Sequence, residues 1–545
     1  MSRIWSAQQQ AIFDWFATSR VTPSFEFVEE GGQLSATLGE HVREAIRPIV
    51  ESRNLVVRAR AGTGKTTTII EAITRAPEQA ILLAAFNKRI ATELATKLAN
   101  PNAEALTLHA IGYRAVRRYW EKIGIDNRGA RATALAEFVC GEQAPDAIKR
   151  LVAKLCTKAR EIRPLCSVGS DLVELALQFD CVPDDGWKAD GYDLDYVCEK
   201  SAAAVDRAGK VKPVATGIDF ADMIFLPIRN NWLRPTYGLV VVDEGQDMTE
   251  AQLLLARGVC GGRFCIVGDD RQAIYAFRGA DSGSLDRLKL ELDAAELGLN
   301  TTYRCGHAIV AEAARLVPDF QAAPTNEPGV ISRATIENLF ADVKPGDFVL
   351  SRKNAPLISI ALGLIRRGKR AKIEGRDIGA GLKAIVNKLA KGPAASSTPK
   401  FLERLSTWRD KEVERAEKLK SDAKVEQVID QYETLVALTD GVTGIPELLL
   451  RLENLFADDA AAGPSQVVCS SVHRAKGLET ETVWVLQDTL NPPVACVACR
   501  KRPKGCTCPA YVPDPLAARE EQNIEYVAIT RAKSALVRVS GEPKR

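Results

Sequence analysis

The stretch from Arg60 to Thr67 has the residue types and spacing of a phosphate-binding loop. An apolar run precedes it and further apolar positions follow it, so the predicted order is strand, glycine-rich loop, helix. The backbone N–H groups of such a loop surround phosphates, and the N-terminus of the next helix favours anions. Lys65 would reach the β- and γ-phosphates, and Thr66 would give its hydroxyl to Mg²⁺.

The loop predicts a nucleotide triphosphatase, although a short pattern of this kind can also arise by chance. Ala59 stands where the G-x-x-x-x-G-K-[ST] pattern begins with glycine. The residues expected to line the nucleotide are Ala61, Gly62, Thr63, Gly64, Lys65, Thr66 and Thr67.

A pair of carboxylates follows the apolar run Leu239–Val242. The carboxyl end of a buried strand is where ligands bind in open α/β sheets. Asp243 can hold Mg²⁺, and Glu244 can orient and deprotonate the attacking water. These are the two tasks that phosphoryl transfer to water requires beside the loop. The bland alternative is a strand that ends in a polar turn.

Four cysteines lie within thirteen residues, with the spacing C-x₂-C-x₆-C-x-C. They are Cys496, Cys499, Cys506 and Cys508. Four thiolates can complete a tetrahedral Zn²⁺ site, which would order a segment too polar to fold by packing. A reduced loop without metal and an iron–sulfur cluster are the alternatives.

The composition is that of an ordinary globular protein, with 545 residues, 46% hydrophobic, 26% charged and a net charge of +3. The length predicts about three to four domains. No apolar run approaches the roughly 18 residues that span a bilayer, and no secretory signal is evident at the N-terminus. We therefore expect a cytoplasmic protein without a membrane partner. Thirteen scattered cysteines argue against a disulfide framework.

Short apolar strands alternate with helical patterns in two separate parts of the chain. This alternation predicts parallel sheets covered on both faces, hence two α/β domains. The predicted strands are 55–57, 80–85, 239–242 and 264–267 in the first set, and 348–350, 466–469, 482–486 and 535–539 in the second. Two largely helical stretches, about 130–210 and about 401–455, interrupt the two sets.

The carboxylate motif and seven other blocks resemble, in order, the motifs of the UvrD/Rep/PcrA group of superfamily 1 helicases. The blocks are Ser6–Ile12 (Q motif), Ala85–Ile90 (Ia), Thr107–His109 (Ib), Asp243–Asp247 (II), Gly268–Ala280 (III), Thr302–Arg304 (IV), Ser471–Glu479 (V) and Glu520–Ala532 (VI). Any one of them is modest evidence, but eight in the right order make coincidence negligible. In this group Ala59 is itself usual.

The resemblance implies roles around ATP for residues in both α/β domains. Gln9 would read the adenine, Tyr303 would stack on it, and Glu479 would contact the ribose. Gln272 would sense the γ-phosphate and couple it to the DNA-binding surface. Arg304 and Arg531 would come from the second domain as arginine fingers, which are worth roughly 10³–10⁵ in rate. Some relatives carry an arginine where this chain has Thr67, so base stacking rests on Tyr303.

The resemblance also implies a path for single-stranded DNA. Aromatic faces carry bases with little sequence preference, at about 1–3 kcal/mol per base. Core packing is the alternative for the aromatic residues, and His473 suggests a backbone or coupling contact. The expected DNA-binding residues are Phe86, Asn87, Thr107, His109, Tyr275, Phe277, Arg278 and His473.

By resemblance the fold is α/β, with two RecA-like parallel-sheet domains on a P-loop NTPase core, each carrying a largely helical insertion. The expected divisions are 1–112 and 213–295 for domain 1A, 113–212 for insertion 1B, 296–385 and 465–545 for domain 2A, and 386–464 for insertion 2B, with a cysteine-rich segment at 494–510. Both insertions are short for the family.

The sequence thus predicts an ATP-dependent DNA helicase that uses Mg²⁺, acts on single-stranded and forked DNA, and moves 3′ to 5′ by resemblance. Such enzymes serve DNA repair or replication. Two alternatives stay open: a single-strand-dependent ATPase that moves without separating strands, and an ATP-switched subunit of a repair or defence complex. Protein partners are not predicted.

Overall fold

Short strands, of which the central ones are apolar and buried, organise the chain into two parallel sheets. The computed structural model describes residues 5–18, 53–183, 185–274, 284–392, 397–418, 422–456, 466–494, 496, 508 and 510–541. By contacts the chain divides into two units. Unit 1 comprises residues 1–59, 64–270 and 277–299, and unit 2 comprises residues 60–63, 271–276 and 300–545. Within the described ranges, no helix is both long and apolar enough to cross a membrane.

Unit 1 is built on a six-stranded sheet in the order β3-β2-β4-β5-β1-β6, with every neighbouring pair parallel. The central strands are buried on both faces, as crossover connections with helices require. The strands are β1 Asn54–Ala59, β2 Ile81–Ala85, β3 Ala103–Thr107, β4 Tyr237–Val242, β5 Cys260–Gly268 and β6 Ala295–Leu299.

Ten described helices of unit 1 cover its sheet or form the inserted helical layer. They are α1 Ala7–Ala17, α2 Lys65–Thr74, α3 Lys88–Lys97, α4 Leu108–Tyr119, α5 Ala130–Cys140, α6 Asp146–Ile162, α7 Val173–Gln178, α8 Leu194–Lys210, α9 Phe220–Arg229 and α10 Glu250–Gly258. A further helix, α11 Ser284–Glu291, precedes β6.

A buried ion network holds the inserted helices of unit 1 together. Arg160 is fully buried and donates to both oxygens of Asp219 at 2.8 Å and to Asp222 at 2.6 Å. Arg131 reaches the other oxygen of Asp222 at 2.9 Å. Asp219 also caps α9 by accepting from the Asp222 N–H. Charges buried this deeply are tolerated because each has partners, so the network fixes α5, α6 and α9 in register.

Unit 2 contains a second six-stranded parallel sheet, in the order β11-β12-β10-β13-β14-β9. A two-stranded parallel pair, β7 Thr301–Thr302 with β8 Gln321–Ala322, lies outside it. The strands of the large sheet are β9 Val330–Thr335, β10 Phe348–Ser351, β11 Ala371–Ile373, β12 Val467–Ser471, β13 Thr480–Leu486 and β14 Ala532–Ser540.

The helices of unit 2 include an insertion that shares one core with the sheet. Phe401 and Leu435, from the inserted helices, belong to the same buried cluster as Val349 and Cys469 from strands β10 and β12. The insertion therefore covers a face of the sheet. The helices are α12 His307–Ala314, α13 Ile336–Asp342, α14 Ala355–Arg366, α15 Arg376–Leu389, α16 Thr398–Lys418, α17 Asp422–Leu438, α18 Ile445–Leu455, α19 Val472–Ala475 and α20 Pro515–Ile529.

The shared core predicts that Phe401→Ala destabilises unit 2 as a whole. Phe401 has no exposed surface, so its truncation should lower the free energy of unfolding by about 3–5 kcal/mol. Leu450→Ala, at a side chain that is 56% exposed on α18, is the control and should stay within about 0.5 kcal/mol of wild type. Urea unfolding followed by circular dichroism measures both. Equal effects of the two changes would contradict the shared core.

Candidate functional site

The second half of the phosphate-binding loop begins a helix in unit 1. Gly64 has φ +74°, a conformation that side chains rarely adopt, and it precedes Lys65, the first residue of α2. Gln9 lies beside this turn, because its amide donates to the Thr68 hydroxyl at 2.9 Å while its carbonyl accepts from the Ser6 N–H. The backbone of α2 thus starts where the sequence places the phosphates.

Lys65 meets the two carboxylates that end β4. Its Nζ forms a hydrogen bond with Glu244 Oε1 and lies 3.4 Å from Asp243 Oδ1. Burial alone would lower the pKa of Lys65, but the two carboxylates outweigh it and raise the pKa above its ordinary value. Burial raises the pKa of Asp243, against the pull of Lys65. Carboxylate and hydroxyl oxygens are the donors that Mg²⁺ prefers, so Asp243, Glu244 and the loop threonine fit that ion.

Two neighbours shape the carboxylate pair, and sequence reasoning had not assigned either a role. Glu244 adopts the left-handed conformation at φ +54°, and a Cβ on Gly245 would lie 2.3 Å from Ile266 Cγ2, so glycine is required there. Gln246 donates to Glu244 Oε2 at 2.6 Å and accepts from the Asp269 N–H at 3.0 Å. Gln246 therefore connects the carboxylate of motif II to the start of motif III.

Arg58, on the strand that leads into the loop, contacts both ends of the motif III region. Its guanidinium lies 2.9 Å from Asp270, which is near the start of motif III, and 2.6 Å from Asp286, which lies in α11 after the motif. A third contact, at 2.8 Å, joins it to Glu296 of β6. No sequence motif identifies this arginine, because its partners lie more than two hundred residues away along the chain.

The first half of the loop, residues 60–63, belongs to unit 2 by contacts. Arg60 forms a two-pronged ion pair with Asp319, with distances from 2.9 Å to 3.2 Å. The Ala61 N–H donates to the Tyr526 hydroxyl at 3.1 Å. Gly62 has φ +68°, and a Cβ there would lie 2.5 Å from Arg304 Cβ, which explains the glycine sterically.

Arg304 lies in a small charge cluster of unit 2. Its Nε is 2.5 Å from Glu479 Oε2, and Lys533 Nζ is 3.1 Å from the other oxygen of Glu479. Burial would raise the pKa of Glu479, but Arg304 and Lys533 hold it below its ordinary value. Glu479 is thus ionised and anchors Arg304. Tyr303 is half exposed, and its N–H donates to Gly62 O at 2.9 Å.

Arg531 is almost completely buried and is surrounded by neutral acceptors. It donates to the carbonyls of Val527 and Leu478, both at 3.1 Å, and to Gln272 Oε1 at 3.4 Å. Burial, followed by the like charge of Arg304, lowers the pKa of Arg531 to about 10. It therefore stays a cation near neutral pH, in a place where an additional anion would be stabilising.

Four of the expected DNA-binding residues lie at the carboxyl ends of β2 and β3, which are neighbours in the sheet. Phe86 is 39% exposed, so it is not a core residue. Asn87 caps α3 by accepting from the Ile90 N–H, and Thr107 caps α4 by accepting from the Ala110 N–H. Burial lowers the pKa of His109, so this side chain is neutral at pH 7.

Several other expected residues fall outside the described ranges. Tyr275, Phe277 and Arg278 of motif III do so, and so do Cys499 and Cys506 of the cysteine cluster. His473 lies in α19, directly after β12. In the parts of the chain that the structure describes, no three His, Cys, Asp or Glu side chains are grouped to hold a metal ion.

Comparisons with known proteins support the family resemblance. Residues 38–293 match the UvrD/REP helicase N-terminal domain, and residues 383–540 match the UvrD-like helicase C-terminal domain. The chain is similar to ATP-dependent DNA helicase UvrD2 of Mycobacterium tuberculosis, at 24% identity over 92% of this chain and 78% of that protein. F-box DNA helicase protein 1 of Schizosaccharomyces pombe is 24% identical over 89% of this chain and 55% of its own.

A third relative, a probable DNA helicase II homolog of Rickettsia conorii, is 26% identical over 48% of this chain and 42% of its own. The two domain matches, the relatives and the two parallel sheets lead to the same conclusion. The chain is an ATP-dependent DNA helicase that belongs to the UvrD/Rep-like family of superfamily 1.

Proposed function

We propose that the protein hydrolyses ATP to move along single-stranded DNA in the 3′ to 5′ direction and separates the strands of forked duplexes. The observation that carries the proposal is the charge arrangement: a buried lysine with two carboxylates in unit 1, and two arginines with one carboxylate in unit 2. A role in DNA repair or replication stays a prediction from the family resemblance, and a cytoplasmic location stays a prediction from the sequence.

The residues of unit 1 supply binding and proton transfer. Lys65 would exchange its carboxylate partners for the phosphate oxygens of ATP, which leaves Asp243 free to help hold Mg²⁺ together with Thr66. Magnesium, when bound, neutralises the charge that develops on the phosphates. Glu244, kept in its strained conformation by Gly245 and Gln246, would accept the proton of the attacking water.

The residues of unit 2 supply positive charge for the same reaction. Arg531 and Arg304 would stabilise the negative charge that develops on the γ-phosphate in the transition state. Each is already held in place by its neighbours, so neither needs to reorganise during the reaction. Gln272 accepts from Arg531 and its backbone carbonyl accepts from Lys476 at 2.7 Å. Gln272, which lies in motif III, would thereby sense the γ-phosphate and couple its state to the DNA-binding surface. Tyr303, which is half exposed, would carry the adenine.

Two other functions use the same ATPase site. A translocase that moves along DNA without separating strands would show single-strand-dependent hydrolysis but no unwinding. An ATP-switched subunit of a repair or defence complex would require a protein partner for either activity. Unwinding of a forked duplex by the purified protein distinguishes the helicase from both.

Lys65→Ala should abolish ATP hydrolysis and unwinding, because Asp243 and Glu244 lose their cation and the phosphates lose their main contact. Hydrolysis is measured with single-stranded DNA, RNA and duplex, and unwinding on labelled forks. Lys97→Ala, at an exposed pair with Glu93 on α3, is the control and should behave as wild type. Hydrolysis that survives Lys65→Ala would overturn the site, and movement from 5′ to 3′ on end-labelled strands would overturn the polarity.

Arg304→Ala should lower kcat by about 10³-fold or more, with a smaller change in KM for ATP, if Arg304 acts as an arginine finger. Lys533 still pairs with Glu479 in this variant, so the fold should be kept. Arg315→Ala, on the same unit with a side chain that is 75% exposed, is the control. A kcat comparable with that of the control would contradict the assignment of Arg304.

We also propose that the cysteine cluster holds zinc. Cys496 Sγ and Cys508 Sγ lie 3.9 Å apart, and two thiolates on one tetrahedral zinc ion are separated by about 3.8 Å when each Zn–S bond is about 2.3 Å. Metal analysis of protein purified without oxygen should give one zinc per chain, and Cys496→Ser should lower that content. Iron instead would favour a cluster, and the absence of both metals would favour a reduced loop.

A further inference from the structure

Two helices of unit 1, α4 and α9, begin near the expected DNA path and end at a second surface. Aromatic residues lie at both ends of the pair. The helices α4 and α9 start together, since the rings of His109 and Phe220 lie 5.9 Å apart. They also end together, where Tyr119, the last residue of α4, stacks on Trp232 beyond α9. The twelve residues of α4 span about 18 Å, so this second surface lies that far from motif Ib.

Three aromatic side chains cluster at the far ends of these helices. The rings of Tyr119 and Trp232 are stacked at 4.8 Å with an interplanar angle of 13°, and Trp120 meets Trp232 edge-on at 5.2 Å. Asn231, at φ +54°, turns the chain back after α9, and the Trp232 N–H donates to Pro227 O at 2.9 Å. Tyr119 remains 42% exposed, so the cluster presents aromatic surface to solvent.

Four exposed cations lie within a few residues of the aromatic cluster along the chain: Arg117, Arg118, Lys122 and Arg234. None of these four forms an ion pair with a residue in the described part of the chain. By contrast, Arg114, one turn earlier on α4, is paired with Glu104 at 2.9 Å. The guanidinium of Arg234 lies over the Tyr119 ring, with 5.9 Å between its Cζ and the ring centroid, and donates to the Tyr119 hydroxyl at 3.4 Å.

Helix electrostatics explain only part of this charge. Cations in the last turn of a helix interact favourably with its C-terminus, which accounts for Arg117 and Arg118. Lys122 and Arg234 lie outside both helices and have no such reason to be there. Glu121 is the one acidic residue between positions 117 and 122 of the sequence. Unpaired positive charge around exposed aromatic rings complements a polyanion that also has flat faces, which is single-stranded nucleic acid.

We propose that this basic aromatic patch (Arg117, Arg118, Tyr119, Lys122, Trp232 and Arg234) is a second binding site for single-stranded DNA. The cations contact phosphates. Arg234 exchanges its contact with the Tyr119 ring for a phosphate and a base stacks on that ring, while motifs Ia and Ib hold the same strand about 18 Å away. The proposal rests on the DNA-binding function of the family but not on the direction of movement or on strand separation.

The test uses one double variant that carries both Arg118→Ala and Arg234→Ala. Its affinity for oligo-dT of increasing length is compared with that of wild type. Binding is measured by fluorescence anisotropy over a range of salt concentrations. On oligonucleotides too short to reach the patch the affinity should be unchanged. On long ones it should fall by about tenfold, and the slope of log K against log salt should fall by about 1.4, since each single-strand phosphate contact contributes about 0.7.

The matched control is Arg128→Ala combined with Arg150→Ala, two exposed cations of unit 1 that also lack an ion pair in the described chain. This control should leave binding to both lengths unchanged. Tyr119→Leu keeps an apolar side chain but removes the stacking face, so it should weaken long-oligonucleotide binding by about fivefold or more with little change in the salt slope.

Three outcomes would overturn the proposal. The first is equal affinity of the patch variant and wild type for long oligo-dT, and the second is a loss that does not depend on length. In the third, wild type binds polyglutamate and the patch variant does not, while both bind oligo-dT equally well. That result would make the patch a docking surface for acidic proteins. ATP hydrolysis stimulated by a short oligonucleotide tests the proposed function separately, because the patch variant should retain it.

Discussion

The ion triad of Lys65, Asp243 and Glu244 is the interaction on which the unit 1 site depends. Parallel strands buried on both faces bring the loop after β1 and the carboxylates after β4 to the same edge of one sheet. A buried cation or a buried carboxylate alone would be costly, whereas together they compensate one another. In the proposed mechanism the phosphate oxygens of ATP replace these carboxylates as the partners of Lys65.

Unit 2 balances its charges differently. Arg304 pairs with the carboxylate of Glu479, whereas Arg531 relies on backbone carbonyls and on Gln272. Arg304 is held by an ion pair, which partly neutralises its positive charge. Arg531 is held by neutral acceptors, which leave its positive charge largely uncompensated. This division suits a reaction in which negative charge develops at a defined place, since the positive charge needs no reorganisation when it does.

The sequence predicted the elements with strong local signals and none of the long-range partnerships. All eight apolar runs are strands, and both predicted helical stretches are helices. The strands that were not predicted are short or lie at edges: β9 is largely exposed, and β11 has three residues. Their sequences lack the apolar run that a doubly covered strand needs.

At the site, the motif residues could be located from their spacing, but their partners could not. Arg60 pairs with Asp319, Ala61 with Tyr526 and Arg58 with Asp270 and Asp286, and no local pattern relates these positions. Gln246 is the exception, because it stands inside motif II and could have been found there. The sequence also could not predict that the inserted helices of unit 2 pack on its sheet. An amphipathic pattern shows that a helix has a buried face but does not show what covers that face.

The contacts of Arg58 affect how freely the number of residues between Asp270 and Asp286 can vary among related chains. One guanidinium, on β1, contacts both Asp270 and Asp286, so these two positions are brought close together by a residue outside the stretch that joins them. The entropy of closing such a loop grows only slowly with its length, by about 0.6 kcal/mol for each doubling. Related chains could therefore carry more or fewer residues between these two positions at little cost to the stability of the sheet.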